Sequence, residues 1–439
     1  MNIRTEDVFT PNGFPTHTYV TRNSALEPAV SYGLKMFGFV SVAGPSKSGK
    51  TVLIEKVVGP DKLITVAGGT ISSSDSLWAQ IISRVGGPQS TTRSDSSTQG
   101  EKINLSAKVG IGISKTGGEG SGGLALENAR SQGVTNTYTH SGPEGACKLL
   151  REKGLTLLVD DFHYIAKDVQ HELAKQFKEI TRSTASTQRV QIIVASVPHR
   201  ADDPVRANPD LRGRIGTVDL RYWEVDELRK IAEMGLATLN IEIIPRLIER
   251  LAEQAAGSPQ LMQTLCYTTV AIALGVEERQ RTSLRLTPKD ADVESALKLA
   301  ATMNDSRSLV GKLDEGKRTR GKERVMIQFR DGSSDDVYTC ILRAIAIDPP
   351  TLDFEATELQ VRIHSICVTP PPWGSVVRTL AHMQEIADLQ QANTFVWDGE
   401  QLSITDPHVL FYLRWCGDYR RPEMRIRETV PIRRTPTGR

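Results

Sequence analysis

The sequence predicts an α/β protein: a parallel sheet covered by helices on both faces, then a helical block, then a small C-terminal domain. Three observations carry this expectation. Continuous aliphatic runs (FGFVSVA at 37–43, LTLLVDD at 155–161, VQIIVASV at 190–197) alternate with amphipathic helical patterns, as strands buried on both faces do. Residues 225–303 carry helical spacing only. Residues 325–418 hold three helical patterns and a strand pair around Asp398-Gly399, a strong hairpin signal.

The elements follow in order. Helical spacing begins near Ser24 and runs into the strand at 37–43, and a helix, TVLIEKVV, follows a glycine-bearing loop. LITVAG at 63–68 reads as a second strand and SDSLWAQIISRV as a second helix, capped by Ser74 or Asp75. Residues 88–140 change character to Ser, Thr and Gly. Within them Ile103, Leu105, Ala107, Val109, Ile111 and Ile113 alternate with polar or glycine positions, and Leu124 and Leu126 sit on a return segment. That period of two predicts an inserted β-hairpin. It is either a surface decoration, an edge for pairing between subunits, or a partner contact; its lysines at 108 and 115 argue against membrane insertion.

The strand–helix pattern resumes with EGACKLLREKG, LTLLVDD, HELAKQFKEITRS, VQIIVASV and TVDLRYW. The division expected is an α/β domain at 1–224, a helical lid at 225–305, a charged linker at 306–324, a three-helix-plus-hairpin domain at 325–418 and a basic tail at 419–439. A winged helix has the last-but-one layout.

Composition limits the function classes. In 439 residues, 54 Lys and Arg face 52 Asp and Glu, a balance that argues against a polyanion-coating protein. No run of 18 apolar residues occurs and the first twenty residues lack a signal pattern, so a cytoplasmic protein without stable membrane insertion is expected. The five cysteines are widely spaced with no C-x-x-C pair, which reads as buried thiols in a reducing compartment.

The sharpest chemical signal is Gly44-Pro45-Ser46-Lys47-Ser48-Gly49-Lys50-Thr51, with Val52 after it. This G-x-x-x-x-G-K-T string lies between a buried strand and an amphipathic helix. Its backbone N–H groups and the helix N-terminus converge on a phosphate chain. Lys50 then reaches the outer phosphates and the Thr51 hydroxyl holds Mg²⁺. A second metal-directed carboxylate is expected at the end of LTLLVDD, where open α/β sheets bind ligands. Asp160 would position the ion, and Asp161 would orient or deprotonate the attacking water.

The order of P-loop, acidic strand end, Ser-ended strand, Arg before the next strand, helical lid and winged helix resembles AAA+ ATPases, in their initiator-type and STAND-like branches. The resemblance implies ATP and Mg²⁺ as cofactors. It also implies a polar sensor at Ser196, and an Arg that reaches a neighbouring subunit's nucleotide at Arg214, with Arg212 second. If Arg214 acts so, activity needs a homo-oligomer. The lid turn Gly257-Ser258-Pro259-Gln260 lacks the initiator sensor Arg and is similar to the G-x-P form of STAND switches, in which Pro259 would pack on the base. Tyr19 and Val20 precede the first helix, where such folds line the adenine site. Asp406-Pro407-His408 is similar to the STAND segment that brings a His to the nucleotide.

Two readings stay open. One is an ATP-hydrolysing oligomeric switch that controls a separate effector protein, in antiphage defence or mobile-element control. The other is a DNA-binding initiator, loader or transposition-regulator ATPase, reading DNA with Arg378, His382 and Gln384 of the winged helix and with the basic tail.

Overall fold

The alternation of buried side chains along each central strand builds the first domain. The computed structural model describes residues 3–86, 90–95, 132–137, 142–182, 189–197, 211, 213–303, 306–317, 324–390, 394–417 and 419. Five parallel strands form one sheet: β1 (Phe39–Ala43), β2 (Leu63–Ala67), β3 (Thr156–Asp160), β4 (Gln191–Ser196) and β5 (Gly216–Asp219), in the order β2-β3-β4-β1-β5. Leu157, Val159, Ile192 and Val194 point into one core layer, while Leu158, Ile193 and Ala195 point into the other. Period-two geometry thus feeds both faces from one unbroken aliphatic run.

Helices α1 (Leu26–Phe37) and α2 (Lys50–Val58) cover one face through Val30, Leu34, Leu53 and Ile54. The other face is covered by α3 (Ser74–Val85), α4 (Gly142–Lys153) and α5 (Lys167–Thr181). Trp78 and Phe39 both meet Phe177 edge-on, at 6.0 and 5.6 Å between centroids, a geometry that ring quadrupoles favour. The N-cap of α3 is Ser73, whose hydroxyl accepts from the Ser76 amide. The expectation of Ser74 or Asp75 is corrected by one residue. Three serines precede Asp75, and the cap is the one with extended backbone and Ser76 three residues on.

Between α3 and α4, strands Ser90–Asp95 and Gln132–Thr137 pair antiparallel in full register. They form the stem of the 88–140 insertion. The alternating segment at 103–113 and the return at Leu124 and Leu126 lie outside the described residues.

The helical block contains α6 (Val225–Thr238), α7 (Pro245–Gln254), α8 (Pro259–Tyr267), a π turn at Thr268–Ala273, and α9 (Asp290–Thr302). A short parallel pair, β6 (Ile241–Ile243) and β7 (Leu284–Leu286), clips it together. The N-terminal segment joins this block: Val8, Phe9 and Val20 share its core. Phe9 presses on Gly235 so closely that a Cβ there would lie 2.3 Å from the ring.

The C-terminal domain holds α10 (Arg307–Glu315), α11 (Val337–Ala346), β8 (Asp353–Glu355), α12 (Ala356–Ile366), α13 (Trp373–Leu389), β9 (Phe395–Trp397), β10 (Gln401–Ile404) and α14 (Pro407–Trp415). The hairpin β9–β10 takes β8 as a third strand, in the order β8-β10-β9. Part of the stretch expected as linker is α10, because Val310 and Leu313 fall three apart and are buried in this core.

Arg414 ties the domain to the helical block. It is 3 % exposed and donates to Gln254 Oε1 (3.2 Å), the Ala346 and Ile347 carbonyls (2.7 and 3.1 Å) and Asp348 (2.6 Å). Replacing Arg414 with Met keeps the bulk and removes every donor. The expected loss is on the order of 3 kcal/mol, read as a lower urea midpoint for the C-terminal domain.

Candidate functional site

Register along the parallel sheet gathers the predicted site. Ala43 lies beside Ser196, and Ala67 beside Asp160, so the P-loop leaves β1 at the same edge where β3 and β4 end. The Gly44 amide donates to the Ser196 carbonyl at 3.2 Å. Gly44 has no room for a side chain: a Cβ would sit 2.8 Å from Leu220 and 3.0 Å from Ser48 Oγ. The loop turns through left-handed backbone at Lys47 (φ 60°) and Gly49 (φ 92°), and α2 begins at Lys50.

Lys50 is 7 % exposed and its Nζ donates to the Gly44 and Pro45 carbonyls, both at 2.9 Å. Burial pushes its pKa down, opposed by Asp161 and Asp160. The Thr51 hydroxyl donates to Asp160 Oδ2 at 2.9 Å, and Asp160 Oδ1 accepts the Asp161 amide at 2.9 Å. The paired ends of P-loop and β3 are therefore in direct contact. Asp161 itself has φ 52°. Burial first, then the Asp160 carboxylate, pushes its pKa up, and Lys50 opposes. Glu55, one turn further along α2, is also raised by burial and by Asp160.

These groups fit a magnesium–triphosphate. Among the described residues no cluster of three or more His, Cys, Asp or Glu side chains could hold a metal. Thr51 and Asp160 alone suit Mg²⁺, which draws its remaining ligands from phosphate and water. The Lys50 ammonium, buried against two carbonyls, is the donor a phosphate oxygen would recruit.

A cavity of about 540 Å³ joins the P-loop and Asp160–Asp161 to residues 10–27 and to α8, a size usual for ligand pockets. Val52, Tyr19, Val20 and Pro259 all line it. Tyr19 is held by a 2.7 Å bond to Glu27 and stacks on Phe14 at 5.8 Å. Pro259 opens α8 beneath the Ser258 cap and faces Gly49, whose added Cβ would lie 3.8 Å from the proline ring. Ser196 is buried at the end of β4. Arg214 is exposed on the turn into β5, and Arg212 lies outside the described residues.

Two parts of the site have no local sequence signal, and a third joins two segments that were each expected at the nucleotide. The Trp223 indole donates to the Ser48 carbonyl at 2.9 Å and carries the Arg22 guanidinium 4.8 Å from its centroid. Residues 10–15 and Thr18 wall the cavity. The third is Lys47, whose Nζ meets both oxygens of Asp406 at 3.0 and 2.9 Å across 359 positions of sequence. Asp406 caps α14, and the half-buried His408 beside it has its pKa pushed down to about 4, by desolvation and then by Lys47.

Of the residues proposed to read DNA, His382 Nδ1 contacts the Tyr338 hydroxyl at 3.2 Å and Gln384 accepts the Trp397 amide at 3.1 Å. Arg378 is exposed, but Glu385 and Asp388 are exposed on the same helix.

No family model and no curated protein matches the chain. Solved structures do. The chain is similar to Cdc6p from Pyrobaculum aerophilum (11% identity, TM-score 0.42, 94% of this chain and 99% of that one). It is also similar to the ORC2 protein of Aeropyrum pernix, solved with ADPNP and ADP (15%, 0.47, 94% and 98%). A third is the Walker-type ATPase of Pyrococcus abyssi (15%, 0.46, 90% and 96%). The strand order, with the P-loop after β1, and the small antiparallel sheet at the C-terminus make the fold AAA+-like with a winged-helix-type ending.

Gly68, after β2, touches the backbone of the acidic pair: a Cβ there would lie 2.3 Å from the Asp161 carbonyl oxygen. Gly68→Ala should therefore displace Asp161 while sparing the P-loop. Triphosphate affinity is expected to stay within about threefold and turnover to fall about 10²-fold, measured by equilibrium binding and phosphate release.

Proposed function

We propose that the chain is a Mg²⁺-dependent ATPase that works as an oligomeric nucleotide switch, with its C-terminal domain as the moving reporter. The Lys47–Asp406 ion pair carries this reading, because it joins the phosphate-binding loop to the domain that would report its state. Both side chains are half-buried, at 29% and 20% exposure. The Tyr222 hydroxyl adds a 3.0 Å bond to the Thr405 carbonyl in the same seam.

Roles follow from position. Gly44 to Val52 cradle the phosphates, Lys50 offsets their charge, Thr51 and Asp160 hold the metal, and Pro259 closes on the base side. A bound Mg²⁺ would supply polarisation of the transferred phosphoryl group. Asp161 takes up the attacking water's proton, and Ser196 lies at the neighbouring strand end to orient it. Arg214, exposed at the rim, serves a neighbouring subunit's nucleotide and makes turnover depend on assembly.

A triphosphate brings several negative charges to the loop that carries Lys47. They draw Lys47 away from Asp406 and repel that carboxylate, so binding loosens the C-terminal domain. By linkage, a loosened domain raises triphosphate affinity by the same factor. The released domain then engages a separate effector protein, a setting that fits antiphage defence or mobile-element control in the cytoplasm. The mixed charge of α13 suits a protein partner better than a DNA phosphate backbone.

Lys50→Ala should abolish tight triphosphate binding, and Asp161→Ala should retain binding while losing most turnover. Unchanged phosphate release in both variants would end the ATPase reading. Below its raised pKa Asp161 is protonated and takes no proton, so turnover should fall as pH drops while still above the ordinary aspartate value of 3.8. Asp406→Ala should raise triphosphate affinity about fivefold or more and expose the C-terminal domain to protease without nucleotide. An unaltered affinity and digestion pattern would rule out the switch. Mass measurement with and without ATP tests assembly, with Arg214→Ala expected to lower turnover but not binding.

A further inference from the structure

Trp223 is held at its two ends by different parts of the molecule. Its backbone N–H donates to the Gly257 carbonyl at 3.0 Å, in the lid turn before Pro259. Its indole N–H donates to the Ser48 carbonyl at 2.9 Å, in the P-loop. Gly257 turns with φ 80°, and a Cβ there would lie 2.7 Å from Tyr222 Cβ, so the turn and residues 222–223 lie against one another without slack. The indole is also fixed from its face. Arg22 sits 4.8 Å from the ring centroid. Its guanidinium donates to Glu227 at 3.2 Å and to the Arg221 and Tyr222 carbonyls at 2.9 and 3.0 Å.

A planar trans peptide points its C=O and its N–H to opposite sides. The Ser48–Gly49 peptide is trans. With its carbonyl turned to Trp223, its N–H points the other way. That N–H belongs to Gly49 and finds no backbone acceptor among the described residues. Gly49 is the N-cap of α2 and lines the cavity together with Lys50 and Thr51. In a loop of this kind such an open amide is one of the donors that a phosphate recruits.

We infer that Trp223 is a positioning residue for phosphate binding: its indole fixes the Ser48–Gly49 peptide in the orientation that presents the Gly49 amide to the triphosphate. This role rests on the nucleotide-binding reading above and adds what regulates that site. Because the backbone of Trp223 is bonded to the lid turn, the shape of the phosphate cradle depends on where that turn stands. The three groups form one chain, indole N–H to Ser48 carbonyl, through the peptide, and Gly49 N–H to phosphate. Hydrogen bonds in such a chain polarise one another, so a phosphate on the Gly49 amide makes the Ser48 carbonyl a stronger acceptor for the indole.

The test uses the full chain. Trp223→Phe keeps a ring beneath Arg22 and removes the N–H. It should weaken equilibrium binding of Mg–ATP about tenfold and leave binding of adenosine, which has no phosphate, within about twofold. Equal losses for both ligands, the mark of a merely structural residue, would overturn the inference. So would a loss for adenosine alone, or no loss. Gly257→Ala should give the same phosphate-selective loss, and the double variant should lose no more than the weaker single variant. Additive losses would overturn the dependence on the lid turn. Of the five tryptophans, Trp223 is the one that lines the cavity. In proton–nitrogen correlation spectra of the wild-type chain its indole proton should move downfield with Mg–ATP and not with adenosine, a readout that needs no variant to fold. An indole proton unmoved at saturating Mg–ATP would overturn the inference. Failure of wild type to bind Mg–ATP at all would instead overturn the nucleotide reading itself.

Discussion

The hydrogen bond from Thr51 to Asp160 joins the two halves of the chemistry, and sheet register makes it possible. Ala43 and Asp160 end strands separated by β4, and Ser196 closes that gap at the same height. A slip of one residue in β3 would turn Asp160 to the opposite face and send Val159 into the wrong core layer. The apolar alternation that stabilises the sheet is therefore also what holds the carboxylate against the P-loop.

Around that fixed edge the remaining parts behave as an arm. The helical block and the C-terminal domain are joined by Arg414 and Trp415, both bonded to Gln254, and by Phe411 in the block's core. The N-terminal segment belongs to the same body through Phe9. Between the arm and the sheet domain lie polar contacts, Trp223 with Ser48 and Lys47 with Asp406.

The core of the site was legible because its signals are local. Gly44 to Thr51 are contiguous, and the strand before them reads as buried from its own residues. Asp160 was legible because an aliphatic run ending in acids has few other uses at a ligand-binding edge. The helical lid pattern and the hairpin at Asp398-Gly399 were equally local. What escaped depends on pairs remote in sequence. Nothing near Lys47 announces Asp406, and nothing near Ser48 announces Trp223. The helix at Arg307–Glu315 was masked by its charge, since Lys312, Asp314 and Glu315 outweigh the two apolar residues that anchor it. His382 and Gln384, expected as groove readers by position on α13, each also have a tertiary partner, Tyr338 and Trp397. Periodicity shows which face a residue occupies but not what lies opposite.

The paired strands at Ser90–Asp95 and Gln132–Thr137 have a further consequence. Their six-rung ladder brings the two feet of the insertion together before any residue beyond them is considered. Closure entropy then grows only slowly with added length, and in the chain the feet follow α3 and precede α4 rather than leaving the strand ends that carry the P-loop and Asp160. The excursion is thus a cassette, replaceable by shorter, longer or unrelated sequence at little cost to the engine beneath it. A change of length there would leave the edge that carries Gly44–Thr51 and Asp160 where it is.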